Sequence, residues 1–289
     1  MRQKQNFPTS PSVSDQRKGS YGTYPVEVRS VFRHFQDRIE ARPDAFVRYE
    51  YRTDLLDESR ETIARYLNAP AVHCVLVPNA STAFDTILRN LIFNPGDVII
   101  CFATIYGSFE NTVQYITETT PAEAETIQYV HPVSDKHICE AFEATISNLR
   151  ARGKTPRIAV FDTISSVPGL RMPFERLTEL CRSHGVLSCI DAAHGVGHLP
   201  LDIQKLDPDF FMSNCHKWLH VPRPCAVLYV PARNQPLLRA TLPTGFGFVH
   251  LSAWASASSC DPENAFVSNF ASVGTLDDTP YLCIQAALE

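Results

Sequence analysis

From residue 72 onward, short β-branched and aromatic runs alternate with longer stretches whose apolar residues recur every three or four positions. That alternation is the tightest constraint on the fold. Strands separated by amphipathic helices are joined by crossovers, so they form a mostly parallel sheet with helices on both faces. Candidate strands are residues 72–77, 98–103, 127–131, 158–163, 186–191, 210–213 and 226–230. Candidate helices are 80–93, 108–118, 138–151 and 173–183, preceded by helix-like stretches at 26–41 and 55–67. In 80–93, Phe84, Ile87, Leu88 and Leu91 make one apolar stripe, and Asn94-Pro95-Gly96-Asp97 supplies a stop. Residues 98–102 are apolar throughout, which suits a strand covered on both faces. With 289 residues, 44% of them hydrophobic, the chain can bury a large core without disulfides.

Composition narrows the function classes. Lys and Arg number 26 against 31 Asp and Glu, a net charge of −5, which argues against a nucleic-acid partner. No apolar run reaches the roughly 18 residues of a membrane span, so no membrane association is expected. The polar residues 1–19 lack the apolar stretch of a secretory signal and read as a mobile tail. Nine cysteines occur with no C-x-x-C pair, and several sit in strand-like runs. They read as reduced, buried thiols of a cytoplasmic protein. Residues 281–289 read as the start of a helix.

In parallel sheets ligands bind beyond the carboxyl ends of the strands, and four predicted strand ends carry reactive or polar residues. After 72–77, Asn79, Ser81 and Thr82 open a helix. They either cradle a phosphate or simply cap it. After 98–103, Tyr106 either stacks on a flat ring or is an ordinary aromatic. Asp191 ends an apolar strand, where an unpaired carboxylate is expensive, and His194 follows among small residues. Lys217, in Ser213-Asn214-Cys215-His216-Lys217-Trp218, is either a desolvated nucleophile or a snorkelling surface lysine.

Together these residues meet the needs of pyridoxal 5′-phosphate: an imine-forming lysine, a carboxylate for the pyridinium nitrogen and a phosphate cradle. Metal and dinucleotide sites fit less well. His194 and His198, like His216 and His220, are four apart, but Gly195 and Gly197 disfavour a helix between the first pair. The sequence has no H-E-x-x-H, and no G-x-G-x-x-G follows a strand. No metal site is expected.

Three stretches carry a family resemblance: Phe161-Asp162-Thr163 with Pro168-Gly169-Leu170-Arg171-Met172-Pro173; Ile190-Asp191-Ala192-Ala193-His194-Gly195-Val196-Gly197; and Ser213 to Trp218. They resemble the class V, fold-type I pyridoxal-phosphate enzymes. Within that class the chain is similar to the isopenicillin N epimerase-like group, nearest to the fungal hercynylcysteine sulfoxide lyases of ergothioneine biosynthesis and the loline-pathway enzymes. The resemblance implies a large domain with a mostly parallel seven-stranded sheet. Residues 1–70 form an arm and helices, 71–250 the cofactor-binding domain, and 251–289 lead toward a small C-terminal domain that the chain lacks.

The resemblance also implies roles. Lys217 forms the imine and shuttles the α-proton, Asp191 pairs with the pyridinium nitrogen, and His194 lies near the phenolic oxygen or imine. Tyr106 stacks on the ring. Ser81, Thr82, Ser213 and His216 bind the phosphate, Ser166 lies near the phenolic oxygen, and Thr275 reaches a partner's phosphate in a homodimer. Ser20 and Tyr21 line the substrate site. The implied activity is C–S bond cleavage on a cysteine-derived amino acid. Epimerisation, transamination, cysteine desulfuration and an inactive cofactor-binding relative are the alternatives.

Overall fold

The structure, a computed structural model, describes residues 18–250 and 262–289. The expectations for the tail at 1–17, for Cys260 and for the stretch 251–261 fall outside the described residues. Seven strands form one sheet: β1 (Cys74–Val77), β2 (Asp97–Phe102), β3 (Glu123–Ile127), β4 (Thr155–Asp162), β5 (Leu187–Asp191), β6 (Phe210–Ser213) and β7 (Ala226–Tyr229). Their order is β1-β7-β6-β5-β4-β2-β3. Only β7 runs against its neighbours, β1 and β6, so the sheet is mostly parallel, as the sequence alternation predicts.

Both faces are covered because successive residues of a strand point to opposite sides. In β2, Val98, Ile100 and Phe102 join one core while Ile99 and Cys101 join the other. The first core is completed by helices Val26–Ala41, Leu56–Tyr66, Asp135–Ala151 and Phe174–Ser183. The second is completed by Ala80–Asn90, Gly107–Thr119 and Pro262–Phe270. Tyr281, Leu282 and Cys283 are buried in the first core ahead of the short helix Ile284–Leu288, whose Ile284 is buried with them.

The expected strand at 127–131 is corrected: β3 is Glu123–Ile127. It is an edge strand paired only with β2, and four of its five residues retain exposure. An edge strand needs little apolar surface, so hydropathy pointed to the more apolar stretch that follows. The helix expected over 80–93 ends at Asn90. The Asn90 carboxamide accepts the Arg239 and Ala240 N–H groups at 2.9 Å and donates to Ala240 O at 2.7 Å, turning the chain away. Among the described residues no helix is long and apolar enough to cross a membrane.

Candidate active site

The chemistry gathers where β4, β5 and β6 end. Asp162 pairs with Asp191 across β4 and β5, and Asp191 with Met212 across β5 and β6. Strand alternation puts both carboxylates on the face of Val160 and Cys189, under helix Ala80–Asn90. Asp191 Oδ1 accepts the Ala193 N–H at 2.8 Å, which starts the turn carrying His194. After β6, Asn214 Oδ1 accepts the Ala80 N–H at 2.9 Å and ties the lysine-bearing turn to the first residue of that helix. The one-turn helix Cys215–Trp218 then places Lys217 Nζ 3.1 Å from His194 Nε2, while Trp218 Nε1 donates to His194 Nδ1 at 3.0 Å.

Burial sets the electrostatics. Asp191 is 4% exposed, and its carboxyl is pushed up to about 6; the Ala193 N–H and the Lys217 charge resist that rise. Asp162 is pushed well above the usual carboxylate range by burial and then by Asp191. Two neighbouring carboxylates do not both ionise readily, so the pair favours a proton on Asp162. Lys217 is lowered by burial against the pull of Asp191 and Asp162. His194 is held at about 4 by burial, Lys217 and His198, which makes it neutral at physiological pH.

The remaining expected site residues divide. Ser81 is at the start of helix Ala80–Asn90 and accepts from Ser108 Oγ at 3.3 Å. Thr82 is engaged by the cap: its N–H and hydroxyl both donate to Asn79 Oδ1, at 2.8 and 3.2 Å. Tyr106 precedes helix Gly107–Thr119, 46% exposed, with Phe109 at its edge. Ser213 is fully buried and holds the β5 turn, donating to Ala192 O and accepting from Val196 N at 3.2 Å. His216 is buried, with Nδ1 2.8 Å from Cys225 O, and burial holds it at about 4. Ser166 lies on an exposed turn closed by the Ile164–Arg171 bridge, whereas Asp162 and Thr163 occupy the buried strand end. Thr275 is exposed and borders a cavity of about 100 Å³ lined by Tyr51, Arg60, Val75 and Tyr281. None of Lys217, Asp191 and His194 lines that cavity.

Sequence reasoning assigned no role to Asp162, Trp218 or Asn214. For Asp162 the signal was present, since it ends an apolar strand just as Asp191 does. Trp218 and Asn214 act through contacts 24 and 134 residues away, which no local pattern encodes.

The N-terminal arm docks on the lysine turn. Arg223 Nη1 donates to Tyr21 O at 2.9 Å and to Gly22 O at 2.6 Å, and His220 Nδ1 lies 2.9 Å from Thr23 O. Ser20 and Tyr21 ride on this arm with exposed side chains. Gly22 has φ +74°, and a Cβ there would lie 1.5 Å from His216 O. Gly22→Ala therefore combines backbone strain with a clash and should lower the melting temperature by about 5 °C. Gly153→Ala, at φ +73° with no heavy atom within 4 Å, carries the strain alone and should lower it less. Thermal unfolding of the two variants checks that order.

Residues 25–267 match the aminotransferase class-V family model. The chain belongs to that family. It is 37% identical over 289 residues to the L-cysteine desulfhydrase-like protein lolT1 of Epichloe uncinata, covering 98% of this chain and 63% of that protein. It is 27% identical over 245 residues to hercynylcysteine sulfoxide lyase of Schizosaccharomyces pombe, covering 85% of this chain and 61% of that one. The class-V chain thus spans somewhat over 60% of the length of these curated relatives. Its fold matches the cystine C–S lyase C-DES, solved with its product cysteine persulfide, at a TM-score of 0.76 and 19% identity. That match covers 93% of this chain and 69% of C-DES.

The class-V site fits pyridoxal 5′-phosphate. A buried carboxylate that accepts the Ala193 N–H can meet a protonated ring nitrogen, and a desolvated lysine stands beside it. Tyr106 offers an exposed ring for stacking.

Proposed function

We propose that this chain forms the cofactor-holding part of a C–S lyase that releases sulfur from a cysteine-derived amino acid. The observation that carries the proposal is the Lys217 amine, desolvated at the ends of the central strands beside Asp191 and 3.1 Å from His194. Pyridoxal phosphate supplies an electron sink for charge developing at the substrate α-carbon. The chain's residues do the rest. Lys217 Nζ, as a neutral amine, takes the α-proton. Asp191 keeps its negative charge where a protonated ring nitrogen needs it, and His194 Nε2 orients the amine. Tyr106 covers one ring face, and Ser81 with His216 takes part in phosphate binding.

Sulfur leaving as a small product, and not onto a thiol among the described residues, is supported by the cysteines. The eight described cysteines are all buried, and burial pushes Cys74, Cys101 and Cys283 up to about 12. We also place the protein in the cytoplasm, because buried free thiols suit a reducing compartment. The same reading takes residues 71–250 as the cofactor-binding domain, 1–70 as arm and helices, and 251–289 as a connection. It also takes the working unit as a homodimer in which Thr275 reaches the partner. The test is product analysis with cysteine and S-substituted cysteines. Pyruvate, ammonia and a sulfur product in equal amounts are expected; a D-amino acid or an aminated cofactor would replace this reading with epimerisation or transamination.

A further inference from the structure

We propose that Trp218 is a positioning residue that fixes the tautomer of His194 and, through it, keeps Lys217 as an acceptor. This rests on the reading of Lys217 as the reactive amine. An indole N–H only donates. With Trp218 Nε1 3.0 Å from His194 Nδ1, that ring nitrogen is the acceptor. A neutral imidazole carries one proton, so the proton sits on Nε2. Nε2 in turn lies 3.1 Å from Lys217 Nζ. A ring N–H can donate to the lone pair of a neutral amine, but an ammonium has no lone pair to offer. The three side chains therefore form a directed chain of donors, Trp218 to His194 to Lys217.

The indole is held for this task. The His198 ring stacks on it with centroids 4.3 Å apart and planes 26° apart. A Cβ on Gly197 would lie 2.4 Å from the Trp218 carbonyl, and one on Gly19 would lie 2.3 Å from the indole, so both glycines permit close packing around it. The charged and titratable groups bearing on Lys217 and His194 are Asp191, Asp162, His198 and His216. None of them donates to His194 Nδ1 in the way Trp218 does. Without the indole N–H, His194 can turn its Nε2 lone pair toward the lysine and stabilise the ammonium instead.

The test uses the full chain labelled with ¹⁵N-histidine. Long-range ¹⁵N–¹H spectra near pH 7.5 distinguish the two tautomers, and His194→Asn identifies the His194 signals by their loss. The expected wild-type pattern is Nε2–H, and Trp218→Phe, which keeps an aromatic face for His198, should give a mixture or Nδ1–H. The pH midpoint for developing the visible band with added pyridoxal phosphate should rise by about one unit in Trp218→Phe, a roughly tenfold slower rate near neutrality. A wild-type Nδ1–H pattern overturns the proposal even if the variant fails to fold. A folded Trp218→Phe protein with an unchanged His194 pattern also overturns it. An Nε2–H pattern in a protein that never develops the band leaves the tautomer assignment standing and refutes the reading of Lys217 alone.

Discussion

Lys217→Ala should lower the release of sulfur product and pyruvate by at least about 1,000-fold, since it removes both the amine that meets the cofactor and the base for the α-proton. No neighbouring group replaces it. His194, held at about 4, stays neutral, and its Nε2 faces the position the amine vacates. Asp162 and Asp191 lie at strand ends fixed by the sheet. The fold should survive the change, because the lysine-bearing turn is held by Asn214 to Ala80 and by His216 to Cys225, not by the lysine. Steady-state assays and thermal unfolding together separate lost chemistry from lost structure. Added primary amines should restore part of the activity by supplying the missing base.

The second large effect divides two adjacent carboxylates. Asp191→Asn should lower turnover by about 100- to 10,000-fold, since a neutral amide cannot hold the ring nitrogen protonated. Asp162→Asn should cost less than about tenfold, because Asp162 favours its protonated form beside Asp191 and an amide resembles a neutral carboxylic acid. The sign of the accompanying pH effect follows from the charges. Asp191 raises the Lys217 pKa, so its removal shifts the lysine's titration to lower pH. Asp162→Asn should shift it the same way but by less, since Asp162 exerts the smaller pull on Lys217. Turnover and the pH dependence of cofactor coupling measure both differences, and equal losses in the two variants would contradict the assignment of the charge to Asp191.

Much of the fold and part of the site are legible in the sequence. Residues 98–102 and 210–212 are unbroken apolar runs buried on both faces, so run length marks them as strands. Asp191 and Lys217 stand out in the sequence because a charge after an apolar strand needs a reason. β3 was displaced because an edge strand exposes its residues and carries no hydrophobic signature. Thr82 and Ser213 stay ambiguous in the sequence because a hydroxyl near a strand end can serve either a ligand or the backbone. Each hydroxyl has a partner in the structure, Thr82 in the Asn79 cap and Ser213 in the turn after β5. The Trp218–His194–Lys217 chain was invisible because residues adjacent in sequence, Lys217 and Trp218, meet both nitrogens of a ring 23 and 24 positions away.

The central claim is that Lys217 is the residue that holds pyridoxal phosphate. Incubating the full chain with the cofactor, reducing with borohydride and mapping the modified peptide by mass spectrometry tests it directly. One pyridoxyl group per chain is expected, on Lys217, lost in Lys217→Ala and outcompeting the other five lysines at substoichiometric cofactor. Labelling spread over Lys18, Lys136, Lys154 and Lys205 with Lys217 unmodified would contradict it.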